Sequence, residues 1–351
     1  MISIKARKKL WKQFYDLSSP VTRLLITGYP GIYKDRPPLY WEFAQERMDW
    51  ALRRYDRQME LIHVLDDHTI PNLNLLTGTE VFAEAFGCDV FRPKDDNPCA
   101  KPIVFSPEDA AKLKMPRLED TKLMLLFEMA HKMRSIAGPD APISLPDVQT
   151  PVDVAALIWE KSDFYLTMFD EPEAVKDLIT MVRTFMFEFF DKWYSEFGTD
   201  GMAHYPEYYC PGFTTLSEDE IGIVNPEMFR EFFREDLLEF SKRYNGLGIH
   251  CCADSKHQWS NLAELPGLKL INLHRGEEET YESFSVFGDV CALLPMTDPS
   301  VDFDKPQGAE RYHICDNRYY PDTLDDAKRL VDTFYSKYPF MADLAKKAEE
   351  D

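Results

Sequence analysis

The feature that most constrains this chain is an alternation. After Arg57, short apolar runs take turns with longer segments whose apolar residues recur every three or four positions. The runs are LIHVL (61–65), PISLPDVQ (142–149), GMAHY (201–205), LGIHCC (247–252), LKLINL (268–273), DVCALL (289–294) and RYHIC (311–315). They have strand length, whereas the segments between them carry helical periodicity. From Glu173 to Glu196, apolar residues fall at Val175, Leu178, Met181, Val182, Phe185 and Phe189, and Gly198 follows as a stop. From Pro226 to Tyr244 the pattern repeats, with proline in the first turn and Asn245-Gly246 beyond the end. Thr323 and Asp326 have capping-box spacing and open a last helix, Leu324 to Tyr338. Strands separated by crossover helices predict a parallel α/β architecture, and 351 residues suit a (β/α)8 TIM barrel. A doubly wound open sheet fits less well, because no G-x-G-x-x-G or G-x-x-x-x-G-K-[ST] loop is present.

Composition narrows function by exclusion. Lys and Arg total 40 against 61 Asp and Glu, a net charge of −21. Such a field repels phosphate backbones and anionic lipid, so nucleic acid and membrane are not expected partners. There is no apolar run of bilayer-spanning length and no signal-peptide core, so the chain reads as soluble and cytoplasmic. Seven scattered cysteines make no disulfide framework and read as reduced thiols. Residues 1–57 are aromatic and helical in tone and read as an N-terminal helical extension packed on a barrel of residues 58–351.

In a barrel, chemistry gathers where strands end at the C-terminal face. Residues two apart on a strand share a side, so His250 and Cys252 are expected to point inward from one strand end, with Cys251 turned outward. An imidazole and a thiolate at this spacing suit Zn²⁺. Cys315, at the end of the last strand, is the expected third ligand; His313 is expected to pack deeper, and Cys291 is the fallback donor. One His and two Cys leave zinc an open position, where a substrate thiol loses its proton readily or an oxygen is polarised. Around this centre, Asp147 and Gln149 share a strand face, while His204, Glu207, Tyr208 and Tyr209 surround the 201–205 run. Arg275 can receive a carboxylate or sulfonate, or instead pair with Glu277 or Glu278. Asp147, Gln149, His204, Glu207, Tyr209 and Arg275 are the substrate-binding candidates. Asp66, Asp67 and His68 read as a hydrogen-bonded loop.

Several segments together carry a resemblance. LTGTEVFAEAFGCDV from Leu76 to Val90, Pro102-Ile103, SPED from Ser106, DVQTPVDVA from Asp147, DEPE from Asp170 and the strand ending in His250-Cys251-Cys252 come in order. With them, the chain from about Leu61 to the final helix resembles the uroporphyrinogen decarboxylase superfamily, whose fold is a distorted TIM barrel. The Arg-rich N-terminal signature of the decarboxylases has no counterpart between Ile26 and Arg36. The other branch, the zinc methyltransferases that work with corrinoid proteins, is similar in its His-x-Cys plus a Cys before the last helix. That resemblance implies His250, Cys252 and Cys315 as zinc ligands and catalytic residues. It also implies a corrinoid (cobalamin) cofactor on a partner protein, and a small methylated substrate, such as an aryl methyl ether, or a thiol. The chain departs from the pattern in Ala253, where glycine is usual, in the extra thiol Cys251, and in a longer run from Cys315 to Pro321. A metal-free decarboxylase and a non-catalytic barrel that binds a corrinoid protein are the alternatives.

Overall fold

The computed structural model describes residues 1–28, 34–93, 97–204, 206–296, 301–305, 312–317 and 321–350. The chain folds into a TIM barrel. Six parallel strands form its continuous sheet in the order Arg23–Leu25, Ile314–Asp316, Ala292–Leu293, Leu268–Leu273, Leu247–Cys251 and Thr214–Ser217. Isolated parallel bridges carry the wall onward: Gln149 to Ser217, Ser144 to Met202, and Leu73 to Ile143.

Register decides what faces inward. Leu216, Ile249, Ile271, Leu293 and Ile314 pair in sequence across five strands and all pack in the core shared with the outer helices. Side chains alternate along a strand, so the next residues, Ser217, His250, Asn272, Leu294 and Cys315, form one inward layer. The helical shell follows from the aromatic spacing in Pro172–Phe197, which starts on a proline and ends at Gly198 with φ 81°. Phe189 and Trp193 stack with centroids 5.8 Å apart, and each also meets Phe127 edge-on. Burying one such ring contributes about 2–3 kcal/mol.

Four expectations need correction. LIHVL is not a strand: Leu61 ends the helix Ala44–Leu61, and Ile62, Val64 and Leu65 continue as turns bonded back to Gln58 and Leu61. Two strands of the main sheet, Arg23–Leu25 and Thr214–Ser217, have no counterpart among the predicted runs; they are short, and the second is rich in hydroxyls. Because Arg23–Leu25 pairs with Ile314–Asp316 in the main sheet, residues 1–57 are not a separate helical extension. The predicted helix from Pro226 to Tyr244 contains a π turn, Phe229–Phe233, which stacks Phe229 on Phe233 at 6.0 Å. By contrast, Thr323 and Asp326 form the expected capping box before Leu324–Lys337. Of the expected strands 201–205 and 311–315, Tyr205 and Arg311 lie outside the described residues.

The N-terminal end of the barrel is plugged by aromatics. The helix Ile4–Phe14 brings Trp11, Phe14 and the adjoining Tyr15 to it, and Tyr15 packs on Phe213 at 4.9 Å. Tyr208 enters from the side and bonds Thr215 Oγ1 at 2.7 Å. Its hydroxyl occupies the space a Cβ on Gly248 would need, which accounts for glycine two residues below His250. The site therefore has a closed floor.

Candidate functional site

The centre of the site is a pair. His250 Nε2 lies 2.9 Å from Cys252 Sγ at the C-terminal end of Leu247–Cys251. His250 is buried and Cys252 is exposed. On the other side of the ring, His250 Nδ1 meets Asn272 Oδ1, from the directly paired position of the neighbouring strand. Asn272 in turn donates through Nδ2 to Leu294 O. Partial burial raises the Cys252 thiol pKa, and the nearby Asp219 charge adds to this while Arg275 opposes it. The thiol form is thus favoured in the isolated pair.

The loop carrying Cys252 is held by carboxylates in sequence. Asp219 Oδ1 accepts the backbone N–H groups of Cys252 at 2.6 Å and Ala253 at 3.1 Å. Asp219 itself is held by Asp153, whose oxygens accept the N–H groups of Asp219 at 2.9 Å and Glu220 at 3.2 Å. Arg275 braces the same loop from above, donating through Nη1 to Cys252 O at 3.1 Å and His274 O at 2.6 Å. Gly222 approaches so closely that a Cβ there would stand 2.8 Å from that of Ala253.

Around the pair are buried polar atoms with no hydrogen-bond partner, Arg275 Nη2, Gln149 Oε1 and His204 Nδ1, while Arg275 Nε faces Glu279 Oε2 at 3.8 Å. His204 Nε2 faces Asp147 Oδ2 at 3.5 Å, and the Asp147 backbone N–H donates to Thr77 Oγ1 at 2.6 Å. Glu80, also buried with Oε2 unpartnered, has its carboxyl pKa pushed up to about 7 by burial, with Glu84 and Asp147 adding to it. Buried donors and acceptors are ordinarily satisfied, so this concentration of unsatisfied ones marks where a polar ligand would complete the bonding.

Other candidates lie elsewhere. Cys315 shares the inward layer of His250, but Asn272 and Leu294 stand on the two strands between them, about 14 Å along the sheet. It is fully buried in the second apolar core, and burial, with Asp316 and Asp67, drives its thiol pKa far up. Among the described residues, no three His, Cys, Asp or Glu side chains stand together as a metal site. The expected His250–Cys252–Cys315 triad is therefore not assembled, although the donor types of the first two suit zinc. Cys251 points to the helix side, donates to Ser255 Oγ at 3.3 Å and has its pKa pushed up to about 12 by burial, which removes it as a substitute ligand. Cys291 is likewise buried on that side.

Glu207 and Tyr209 are also corrected. Glu207 is held in the wall by Arg54, Asn72 and Asn74, a buried ion pair with amide support. Tyr209 belongs to a hairpin: Tyr209–Pro211 runs antiparallel to Asp200–Met202 and so returns towards the N-terminal end. There its hydroxyl donates to Asp200 at 2.7 Å. His313 is packed as expected, with Nδ1 2.7 Å from Phe14 O. Asp67 closes the predicted loop by binding Arg7 at 2.6 Å and the hydroxyls of Thr27 and Thr69.

Asn272 and Asp219 were missed as site residues. Asn272 had a legible signal, a lone amide within the apolar run LKLINL. Asp219 had none beyond its place in SEDE, since its role depends on two loops meeting.

No curated protein matches this chain. Among solved structures, a methyltransferase from Methanosarcina mazei is similar with a TM-score of 0.66 at 16% identity, over 95% of this chain and 100% of that one. At that identity the likeness speaks to the fold. The profile described as Uroporphyrinogen decarboxylase (URO-D) matches residues 61–303, which is more than half of the chain and includes the His250–Cys252 strand. The chain belongs to the uroporphyrinogen decarboxylase (URO-D) family.

Proposed function

We propose that this protein is a methyltransferase that moves a methyl group between a small methylated substrate or thiol and a corrinoid carried by a partner protein. The observation that carries the reading is the His250–Cys252 pair, with Nε2 and Sγ 2.9 Å apart at the strand end. The methyltransferase from Methanosarcina mazei, similar along the full barrel, supports it. Zinc belongs to the proposal: His250 and Cys252 would hold it, and when bound it would keep a substrate thiol deprotonated at neutral pH. Among the described residues, no third protein donor is gathered with these two.

The protein's own groups have definite tasks in this reading. His250, directed by Asn272, presents Nε2 as a base or donor atom beside the thiol. Arg275, whose Nε lies 3.8 Å from Glu279 Oε2, offers the N–H groups of Nη2 to an anionic end of the substrate, which suits a carboxylate or sulfonate. Gln149 Oε1 accepts from a substrate donor, and the His204–Asp147 pair lines the same mouth. The aromatic floor keeps water from entering at the other end.

The test is zinc quantitation on purified protein, joined to a methylcobalamin absorbance assay with a panel of thiols. Stoichiometric zinc that is lost in Cys252→Ser, together with thiol-dependent loss of the methylcobalamin spectrum, is the expected result. Protein that binds no zinc and leaves methylcobalamin unchanged with every thiol and methyl ether tried would sink it. The incomplete donor set favours one second reading, a metal-free decarboxylase in which Arg275 receives a substrate carboxylate. Carbon dioxide release that survives chelation would select it.

A further inference from the structure

Leu294 O is a carbonyl and can only accept, so the end of the Asn272 amide facing it must be the NH₂. The amide oxygen is thereby turned to His250 Nδ1. An amide oxygen cannot donate, so a neutral His250 must carry its proton on Nδ1. Its lone pair then lies on Nε2, the nitrogen that faces Cys252 Sγ. Asn272 and Leu294 are completely buried, so no solvent competes for these bonds.

We infer that Asn272 is the positioning residue of the site: it locks His250 as the Nδ1–H tautomer and aims Nε2 at Cys252. The backbone makes this possible, because His250 and Asn272 are directly paired in parallel strands and share a level of the inward layer. Asparagine differs here from the carboxylate that often backs a ligating histidine. It adds no charge and sets the tautomer through its hydrogen-bond pattern alone. The inference concerns the metal-free ring; only its consequence for zinc rests on the proposed function.

The experiment is long-range ¹H–¹⁵N correlation on histidine-labelled, metal-free protein, which reads the protonation of each ring nitrogen. Wild type should show His250 protonated at Nδ1 at pH 8. Asn272→Asp should keep Nδ1 protonated, since a carboxylate also accepts there, while losing the bond to Leu294 O. Asn272→Leu should shift His250 towards the Nε2–H form and, in a chelator competition, weaken zinc binding about 10–100-fold. His250 found protonated at Nε2 in wild type overturns the inference whether or not either variant folds. So does a folded Asn272→Leu protein that keeps both the tautomer and the affinity. Failure of every form to bind zinc, with the Nδ1–H tautomer intact, counts against the proposed function and leaves the positioning role standing.

Discussion

Asp219 Oδ1 accepts the backbone N–H of Cys252 at 2.6 Å, so a carboxylate from the end of one barrel strand fixes the thiol at the end of the next. The same carboxylate raises the Cys252 pKa, after burial, through its charge. Asp219→Asn keeps an acceptor for the loop but removes that charge. The thiolate fraction at pH 8 should rise, and iodoacetamide should label Cys252 about two- to fivefold faster, as expected for one screened charge near a half-exposed group. Mass spectrometric rates for the Cys252 peptide check this; a slower rate would mean that loop geometry outweighs charge.

Cys315 and Cys252 should respond differently to substitution. Cys315 is buried in the apolar core, with two strands between it and the pair. Cys315→Ala should lower stability by about 1 kcal/mol and leave zinc content unchanged. Cys252→Ala should do the reverse. Metal analysis beside urea midpoints separates the two, and zinc lost on changing Cys315 would restore the triad expected from the sequence.

Glu207 is predicted to matter for stability. Arg54 is buried against it, with Asn72 and Asn74 completing the cluster. Glu207→Ala leaves a guanidinium without its counter-charge and should cost about 3–5 kcal/mol in urea unfolding. A loss below about 1 kcal/mol would place Glu207 back among residues available to a ligand.

The carboxyls behind the mouth predict a pH dependence. Burial, then the charge of Asp153, drives the Glu218 pKa far up, and Asp153 itself is raised to about 7 by burial. Glu218 Oε2 accepts from Thr150 Oγ1 at 2.7 Å, and its Oε1 is buried without a hydrogen-bond partner. Raised native pKa values mean that the folded state binds more protons than the unfolded one above about pH 4. This contribution to stability is complete below the unfolded values and declines as pH climbs through 7. Urea midpoints should therefore fall from pH 5 to pH 8.5 in wild type. Glu218→Gln, which cannot titrate, should show a shallower fall. Identical slopes would exclude Glu218 as a source of the pH dependence.

Much of the barrel was legible because strand and helix periods are local properties. The runs at 247–252 and 268–273 are strands because their alternating side chains meet a helical shell on one side and the barrel interior on the other. The failures share a cause. LIHVL has strand composition but continues a helix end, and Thr214–Ser217 has weak composition but is held by neighbours on both sides. Glu207 and Tyr209 were assigned by proximity in the chain to a strand end, and a hairpin reversed the direction in which Tyr209 runs.

By itself, the sequence determined the repeating α/β order, the pairing of His250 with Cys252 on one face, and the net acidity, since each depends on spacing or composition alone. Tertiary structure decided which distant groups reach that pair. Strand order put Asn272 beside His250 and two strands between His250 and Cys315, while loop packing brought Asp219 to Cys252. Such contacts depend on register and barrel closure across residues far apart in the chain, and no local pattern encodes them.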